Sequence, residues 1–167
     1  IVALPGDLLA KDFGLSPDTY KQLVDEVAHI VHAAGSRAWC LDHTGMECNS
    51  KGVIHCVGLA RKNGAAVHYV SSSWLDVYEA AGDAADKARL NDLPYLGIKR
   101  RGEDILSFAA RNCDVRCYSY RVPLLSVNSR GGFFGDTVLF TALQSILRTG
   151  VAPPNTGIFA VQPRDSA

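Results

Sequence analysis

Residues 127–143, VNSRGGFFGDTVLFTAL, have the pattern of a strand end, a glycine-rich turn and the start of a helix. Such a turn suits a nucleophile or a bound anion, because the first N–H groups of the helix face it. The turn carries Gly131, Gly132 and Gly135 where a serine or cysteine would be expected. Whether this turn is a functional site therefore depends on the patterns in the rest of the sequence.

Strand and helix patterns alternate outward from this turn. Strands are predicted at 1–5, 52–60, 65–73, 114–127 and 156–163, helices at 16–35, 102–112 and 135–150, and a loop or weak helix at 79–104. The alternation predicts an α/β fold, a three-layer α/β/α sandwich with a mostly parallel central sheet of the phosphorylase/hydrolase-like kind. Neither a repeat nor a linker divides residues 1–167, so we predict a single domain.

Local signals support three of these elements. Ser16 and Pro17 are suited to begin the first helix, and Gly35 is suited to end it. Asp136 or Thr137 is suited to cap the helix at 135–150. The run GVIHCVGLA at 52–60 is apolar without alternation, which is typical of a strand covered on both faces.

Composition narrows the class of protein. Seventeen basic and seventeen acidic residues leave no net charge, so neither a nucleic acid nor an anionic membrane is predicted as a partner. No apolar run approaches the roughly 20 residues of a membrane span. Five cysteines, an odd number at irregular spacing, favour reduced thiols and a cytoplasmic location.

The residues also raise three other kinds of site: a zinc site, a serine nucleophile and an anion-binding turn. Cys40, His43 and Cys48 are zinc-ligand types, but their spacing matches no standard structural site, so zinc is only an alternative and no cofactor is expected. Ser129 lies in the turn without a G-x-S-x-G elbow. The stretch SRGGFFGDT is neither a P-loop nor G-x-G-x-x-G, although its helix start suits a carboxylate.

Four segments resemble, in the same order, the pyroglutamyl-peptidase I (pyrrolidone-carboxylate peptidase) family, cysteine peptidases that remove N-terminal pyroglutamate from peptides. The segments are IVALP at 1–5, VIHCVGLARKNGAAVHYV at 53–70, SVNSRGGFFGDTVLFTAL at 126–143 and IFAVQP at 158–163. Asn128, Gly131 and Phe133 stand in family-like positions. The resemblance implies a divergent omega peptidase fold that lacks the N-terminal strand and loop of the family.

The same resemblance implies that catalysis is lost. The family positions of the nucleophilic Cys, the His and the Glu are Gly135, Val161 and Ala65 in this chain, and none of these side chains can activate or orient a thiol. We therefore expect a pseudoenzyme, of uncertain oligomeric state, that binds a peptide or small carboxylate. The expected binding residues are Asn128, Ser129, Gly131, Gly132 and Asp136.

Two alternative functions are consistent with the same sequence. One is an active hydrolase of the same fold that uses Cys56 with His55 or His68, or else Asp136 with Ser129. The other is an interaction module that holds zinc through Cys40, His43 and Cys48.

Overall fold

The structure, a computed structural model, describes residues 1–35, 43–80, 94–125, 138–150 and 161–162. The chain forms two compact units, residues 1–121 and residues 122–167. The helices are α1 (Pro17–Glu26), α2 (His43–Asn63), α3 (Trp74–Ala80), α4 (Pro94–Asn112) and α5 (Val138–Thr149), with a short 3-10 turn at Lys11–Gly14. The strands are β1 (His29–His32), β2 (Ala66–Ser72), β3 (Cys117–Val122), β4 (Leu124–Leu125) and β5 (Val161–Gln162).

The first unit is built on a three-stranded sheet in the order β1-β2-β3. Strands β1 and β2 are parallel, with His29 beside Ala66 and His32 beside Tyr69. The N–H of Val67 donates to the carbonyl of Arg116 over 2.8 Å, immediately before β3 begins. The second unit contains α5 and a parallel pair, β4 with β5. Parallel strands joined through helices confirm the predicted α/β class with a mostly parallel sheet.

The core of the first unit lies between the sheet and the helices α2 and α4, which pack on each other. Val53 of α2 and the β2 residues Val67 and Tyr69 are wholly buried there. Apolar side chains of this kind supply most of the favourable free energy of folding. The described helices include none that is long and apolar enough to cross a bilayer.

The helix predicted at 16–35 begins as expected and ends early. Ser16 caps it, because its hydroxyl oxygen accepts from the N–H of Thr19 over 3.2 Å, and Pro17 is the first residue. The helix ends at Glu26, and His29–His32 forms β1 instead of a last turn. The prediction missed this break because pairing with β2, 37 residues away in the register of His29 with Ala66, determines the conformation there.

The strand predicted at 52–60 is wrong, since these residues lie inside α2. Its buried residues recur every three or four positions, which is the period of a helix face packed on a core. They are Asn49, Gly52, Val53, Cys56, Val57, Leu59 and Ala60. Small residues such as Gly52 and Ala60 blurred this period, and the run was mistaken for a strand covered on both faces.

Other boundaries also differ from the prediction. Residues 1–5 are exposed and form no strand, because no strand of the described part of the chain pairs with them. The stretch 79–104, predicted as a loop or weak helix, is helical from Pro94 onward, where α4 begins. Strands β2 and β3, the break at Pro123 and helix α5 confirm the corresponding predictions. The prediction of a single domain over residues 1–167 stays a prediction.

Gly52 marks a close approach between α2 and the end of β1. A Cβ atom at this position would lie 2.8 Å from Nε2 of His32 and 3.3 Å from Cδ2 of Leu8. We expect Gly52→Ala to lower the free energy of unfolding by about 1–2 kcal/mol, because overpacking outweighs the gain in helix propensity. Urea unfolding measures this, with Gly58→Ala on the same helix as the control.

Gly58 is exposed, and a Cβ there would meet nothing within 4 Å. Gly58→Ala should therefore raise the free energy of unfolding by up to about 1 kcal/mol. Equal effects of the two substitutions would contradict the packing of His32 against α2.

Candidate active site at the carboxyl ends of β1 and β2

The carboxyl ends of β1 and β2 lie at the same edge of the sheet, because the two strands are parallel. In open α/β sheets, ligands bind outside the carboxyl ends of the strands. Here β1 ends at His32 and β2 ends at Ser72. Helix α4 adds Tyr95 and Lys99 near its start.

Lys99 is the central charged group of this edge. It lies four residues after Tyr95, so both side chains project from one side of α4. Its side chain is buried, and Nζ donates a hydrogen bond of 2.8 Å to the carbonyl oxygen of Val70 in β2. Nζ also lies 5.1 Å from the ring centroid of Tyr69 and 5.9 Å from that of Tyr95. The geometry places an ammonium between a strand end and a phenol ring.

The ammonium retains capacity for a ligand. Burial lowers the pKa of Lys99 below its ordinary value. An ammonium has three N–H donors. Only the bond to Val70 uses one of them among the residues that the structure describes. The remaining donors suit the hydroxyl or carbonyl oxygens of a bound molecule.

The two serines at the end of β2 have different surroundings, because neighbouring residues of a strand face opposite sides of the sheet. Ser71 donates its hydroxyl proton to Glu103 of α4. The hydroxyl oxygen of Ser72 accepts from the N–H of Trp74 over 3.4 Å. Both serines are buried. Ser72 thus keeps a hydroxyl proton that no described acceptor uses, and it is the better donor to a ligand.

Two buried polar residues complete this edge. Burial lowers the pKa of His32, and the nearby charge of Lys99 acts in the same direction against a backbone hydrogen bond. His32 therefore stays neutral at pH 7. Asn49 of α2 lies against Gly35, where a Cβ atom would be 2.1 Å from Oδ1. The side chain of Asn49 thus packs directly on the backbone of Gly35, shortly after β1, where any residue other than glycine would clash.

Arg121 joins α3, α4 and β3 beside this edge. Nε and Nη2 donate to Glu103 over 3.0 and 2.7 Å. Nη1 donates to Asp76 over 2.6 Å and to Glu79 over 2.7 Å, while Nη2 also donates to Glu79 over 3.0 Å. These contacts match the five N–H donors of a guanidinium. Arg121 therefore fixes α3, the helix that follows Ser72, against α4.

Replacing Arg121 by lysine should lower the free energy of unfolding by about 1–3 kcal/mol, because an ammonium cannot reproduce the planar fork of donors. Arg100→Lys is the matched control. Among the residues that the structure describes, Arg100 forms an ion pair only with Glu79, and its side chain is 41% exposed, so the effect should stay below about 1 kcal/mol. Equal losses in urea unfolding would contradict a special role of Arg121.

The effect of Arg121 should depend on pH. Hydrogen bonds from Arg121 and Arg100 lower the pKa of Glu79 from its ordinary 4.5 to about 2. For Glu103, burial raises the pKa, but the hydrogen bonds from Arg121 and Ser71 outweigh it and the net shift is downward. A carboxylate whose pKa is lowered by folding stabilises the folded state at pH values above its ordinary pKa. This stabilisation is lost as the pH falls towards the lowered pKa. The difference between wild type and Arg121→Lys should therefore shrink between pH 4.5 and about 2.

The site positions predicted from the sequence are different residues from Tyr95, Lys99 and Ser72. Ala65 is buried immediately before β2, at the end of the strand opposite to this edge. Val161 is in β5, paired with Leu124. The predicted binding residues of the glycine-rich turn and Cys40 lie outside the described residues: Asn128, Ser129, Gly131, Gly132, Gly135 and Asp136. His43 and Cys48 are in α2, and their side chains are not among those described.

The proposed use of Cys56 as a nucleophile is wrong. Cys56 is in the core, and burial raises the pKa of its thiol to about 12, so it is not a thiolate at neutral pH. His55 contacts the ring of Phe13 edge-on at 5.9 Å. His68 is hydrogen-bonded to His29 over 3.0 Å and to the Tyr120 hydroxyl over 2.8 Å.

Sequence reasoning missed Tyr95 and Lys99. Both lie in YLGIK, residues 95–99, within the stretch that was predicted as a loop or weak helix. The available signal was the spacing of a phenol and an amine over four residues, which places them on one side of a helix. Because a loop was an equal prediction for this stretch, the spacing did not place the two side chains on a common helix face.

Residues 1–165 match the profile of an NAD-binding family described as male sterility protein. A curated relative, glycine betaine reductase ATRR of Emericella nidulans, is 38% identical over 152 residues, which cover 84% of this chain and 12% of that protein.

Solved structures show the same fold. The terminal R domain of the myxalamid PKS-NRPS biosynthetic pathway aligns with a TM-score of 0.77 and 22% identity, over 95% of this chain and 42% of that chain. The PhqB reductase domain of Penicillium fellutanum aligns with a TM-score of 0.61 and 17% identity, over 86% and 37%. RMD of Pseudomonas aeruginosa, solved with NADPH, aligns with a TM-score of 0.56 and 21% identity, over 86% and 48%.

These matches overturn the resemblance to pyroglutamyl peptidases, together with the pseudo-peptidase, hydrolase and zinc-module functions inferred with it. The segments that carried the resemblance are short strands followed by a turn or helix, a pattern that many α/β folds share. One of them, residues 53–70, contains the end of α2 where the resemblance assumed a strand. The predicted α/β fold with a mostly parallel sheet is nevertheless confirmed, and it is Rossmann-like.

Proposed function

Since this chain belongs to the NAD-binding family described as male sterility protein, we propose that it is part of an NAD(P)-dependent reductase acting on a carbonyl group. We further propose that Tyr95, Lys99 and Ser72 handle the proton of this reaction. The chain spans 12% of the curated reductase and 42% of the solved R domain. We therefore propose the activity for the whole reductase and not for these residues alone.

The observation that carries the proposal is the placement of Lys99 beside Tyr95. Reduction of a carbonyl needs a proton at the oxygen, and tyrosine is a suitable general acid when a cation is near. Nζ of Lys99 lies 5.9 Å from the Tyr95 ring centroid, at the end of the sheet where ligands bind in this fold. The positive charge of Lys99 stabilises the negative charge that Tyr95 acquires when it gives its proton away.

Ser72 has a supporting role in this proposal. Its hydroxyl proton is not committed to an acceptor in the described part of the chain, whereas the hydroxyl of Ser71 is bonded to Glu103. A donor at the end of β2 can hydrogen-bond the carbonyl oxygen of the substrate and favour the charge that develops on it. Tyr95 then protonates that oxygen, and Lys99 holds the phenol and its charge in place.

The residues present fit a nicotinamide dinucleotide. Lys99 offers N–H donors to ribose hydroxyls at the carboxyl end of β2. NAD(P)H, when bound, supplies a hydride to the carbonyl carbon. The 167 residues contain no G-x-G-x-x-G turn, so we assign no residue to the pyrophosphate. The expected peptide or carboxylate ligand and the oligomeric state stay predictions.

A spectrophotometric assay of the full-length protein tests this function. Oxidation of NADPH or NADH is followed at its absorbance band, with aliphatic aldehydes and betaine aldehyde as carbonyl substrates. We expect turnover that Tyr95→Phe lowers by about 10²-fold or more, because the phenol is the acid. Tyr20→Phe is the control, since Tyr20 is on α1 and its hydroxyl contacts Lys62.

Turnover that Tyr95→Phe leaves at the wild-type level would remove Tyr95 from this role. Absence of both turnover and dinucleotide binding by the wild-type protein would reject the reductase function itself. Fluorescence of bound NADPH separates a binding defect from a chemical one.

A further inference from the structure

We propose that Tyr69 is a positioning residue, and that the face of its aromatic ring holds the ammonium of Lys99 in place at the end of β2. The proposal rests on the proposed function, because Lys99 is part of the proton-handling group there. Tyr69 itself touches neither substrate nor cofactor in this proposal.

The ammonium of Lys99 is held by two consecutive residues of β2. Nζ lies 5.1 Å from the ring centroid of Tyr69 and donates a hydrogen bond of 2.8 Å to the carbonyl oxygen of Val70. A cation within about 6 Å of an aromatic face is attracted by its quadrupole, and more strongly when water is excluded. Tyr69 is wholly buried, so water does not screen the contact.

The ring of Tyr69 cannot turn away from Lys99. The imidazole of His32 meets it nearly edge-to-face, with centroids 5.6 Å apart and planes at 71°. Its hydroxyl end lies against α4 at Gly102, where a Cβ atom would be 2.5 Å from the hydroxyl oxygen. Tyr69 is therefore wedged between β1 and α4, and Lys99 projects from that same helix.

The hydroxyl of Tyr69 does not explain why an aromatic residue stands here. Among the described residues it has no hydrogen-bond partner, although the atom is buried. Burial raises the pKa of this phenol, with the nearby groups Tyr95 and Glu103 acting in the same direction. It therefore stays neutral and does not exchange protons with the substrate. The ring, and not the hydroxyl, is the functional part of Tyr69.

The test varies the charge distribution of the ring while keeping its shape. Tyr69→Phe is the reference, and phenylalanine analogues with one, two or three fluorine atoms at position 69 make the negative potential of the ring face progressively weaker. We expect kcat to fall in steps, to about one tenth of the reference value with three fluorines, while the KM for the aldehyde changes less than twofold.

Titration of Lys99 gives a readout that does not depend on activity. Carbon-13 labelling of lysine side chains lets NMR follow Lys99 against pH, with Lys99→Arg used to assign its signal. We expect the midpoint to move to lower pH as fluorine is added, because the ring favours the ammonium less. The groups that face Lys99 are His32 from β1, Tyr69 from β2 and Tyr95 from α4, and they stay unchanged apart from Tyr69.

Tyr118 is the control for the substitution method. It is 47% exposed and stacks on His68 at 5.0 Å, so three fluorines there should change neither kcat nor the Lys99 titration. Equal kcat and equal titration across the Tyr69 series, in an active enzyme, would overturn the inference and leave the function standing. A titration that moves in a protein without turnover or dinucleotide binding would reject the function and retain the contact.

Discussion

Replacing Lys99 by methionine should lower kcat for carbonyl reduction by about 10²–10⁴-fold, the range that a positioned acid–base group contributes. Methionine keeps much of the length and apolar stem of lysine but removes the ammonium. Without that charge, the phenolate that proton transfer leaves on Tyr95 loses the stabilisation that the ammonium of Lys99 supplies. Initial rates with NADPH and an aldehyde measure the effect.

The stability of this variant separates chemistry from folding. Lys99 is buried, and burial disfavours its charge, so its removal should change the free energy of unfolding by less than about 2 kcal/mol. Lys51→Met is the control, since Lys51 is exposed and pairs with Glu47 over 3.0 Å within α2. An active and folded Lys99→Met protein would rule out the role proposed for Lys99.

Gly102→Ala should cause a large loss of stability, because the added methyl group would strike a buried ring. A Cβ at this position would lie 2.5 Å from the hydroxyl oxygen of Tyr69, 2.6 Å from Cζ and 2.9 Å from Cε1. The obstacle is the rigid end of a wholly buried ring, and His32 limits its movement on another side. We expect a loss of about 3 kcal/mol, after the helix propensity of alanine is allowed for.

Gly97→Ala on the same helix is the matched control for stability. Gly97 is exposed, and a Cβ there would meet nothing within 4 Å, so the variant should gain up to about 1 kcal/mol. Urea unfolding compares the two proteins. In addition, Gly102→Ala combined with Tyr69→Ala should be less than additive, because the second change removes the ring that the new methyl group strikes.

Many of the helices and strands could be predicted, because capping and side-chain periodicity depend on only a few neighbouring residues. Ser16 and Pro17 identified the start of α1, and the run AAVHYVSSS at 65–73 predicted β2. Pro123 marked the break between β3 and β4. Boundaries set by pairing with a distant strand were missed, as at His29–His32, where the local sequence also permits a helix.

The candidate site was harder to predict than the fold. The glycine-rich turn near Gly135 was predicted as the site, because a strand, a tight turn and a helix start form a recognisable local pattern for positioning a nucleophile. The pair Tyr95 and Lys99 has only its spacing as a signal, and α4 was not recognised until residue 102. Arg121 gave no signal at all, since its partners Asp76, Glu79 and Glu103 come from two helices far away in the chain.

The sequence by itself determined that strands and helices alternate in this protein, because side-chain period and capping are local properties of the chain. Only the tertiary structure decided that residues 52–60 are helical, since the buried stripe of α2 has meaning only against the sheet and α4. It likewise brought Nζ of Lys99 to the carbonyl of Val70, 29 residues earlier. Such contacts depend on packing between elements, which no local pattern of residues encodes.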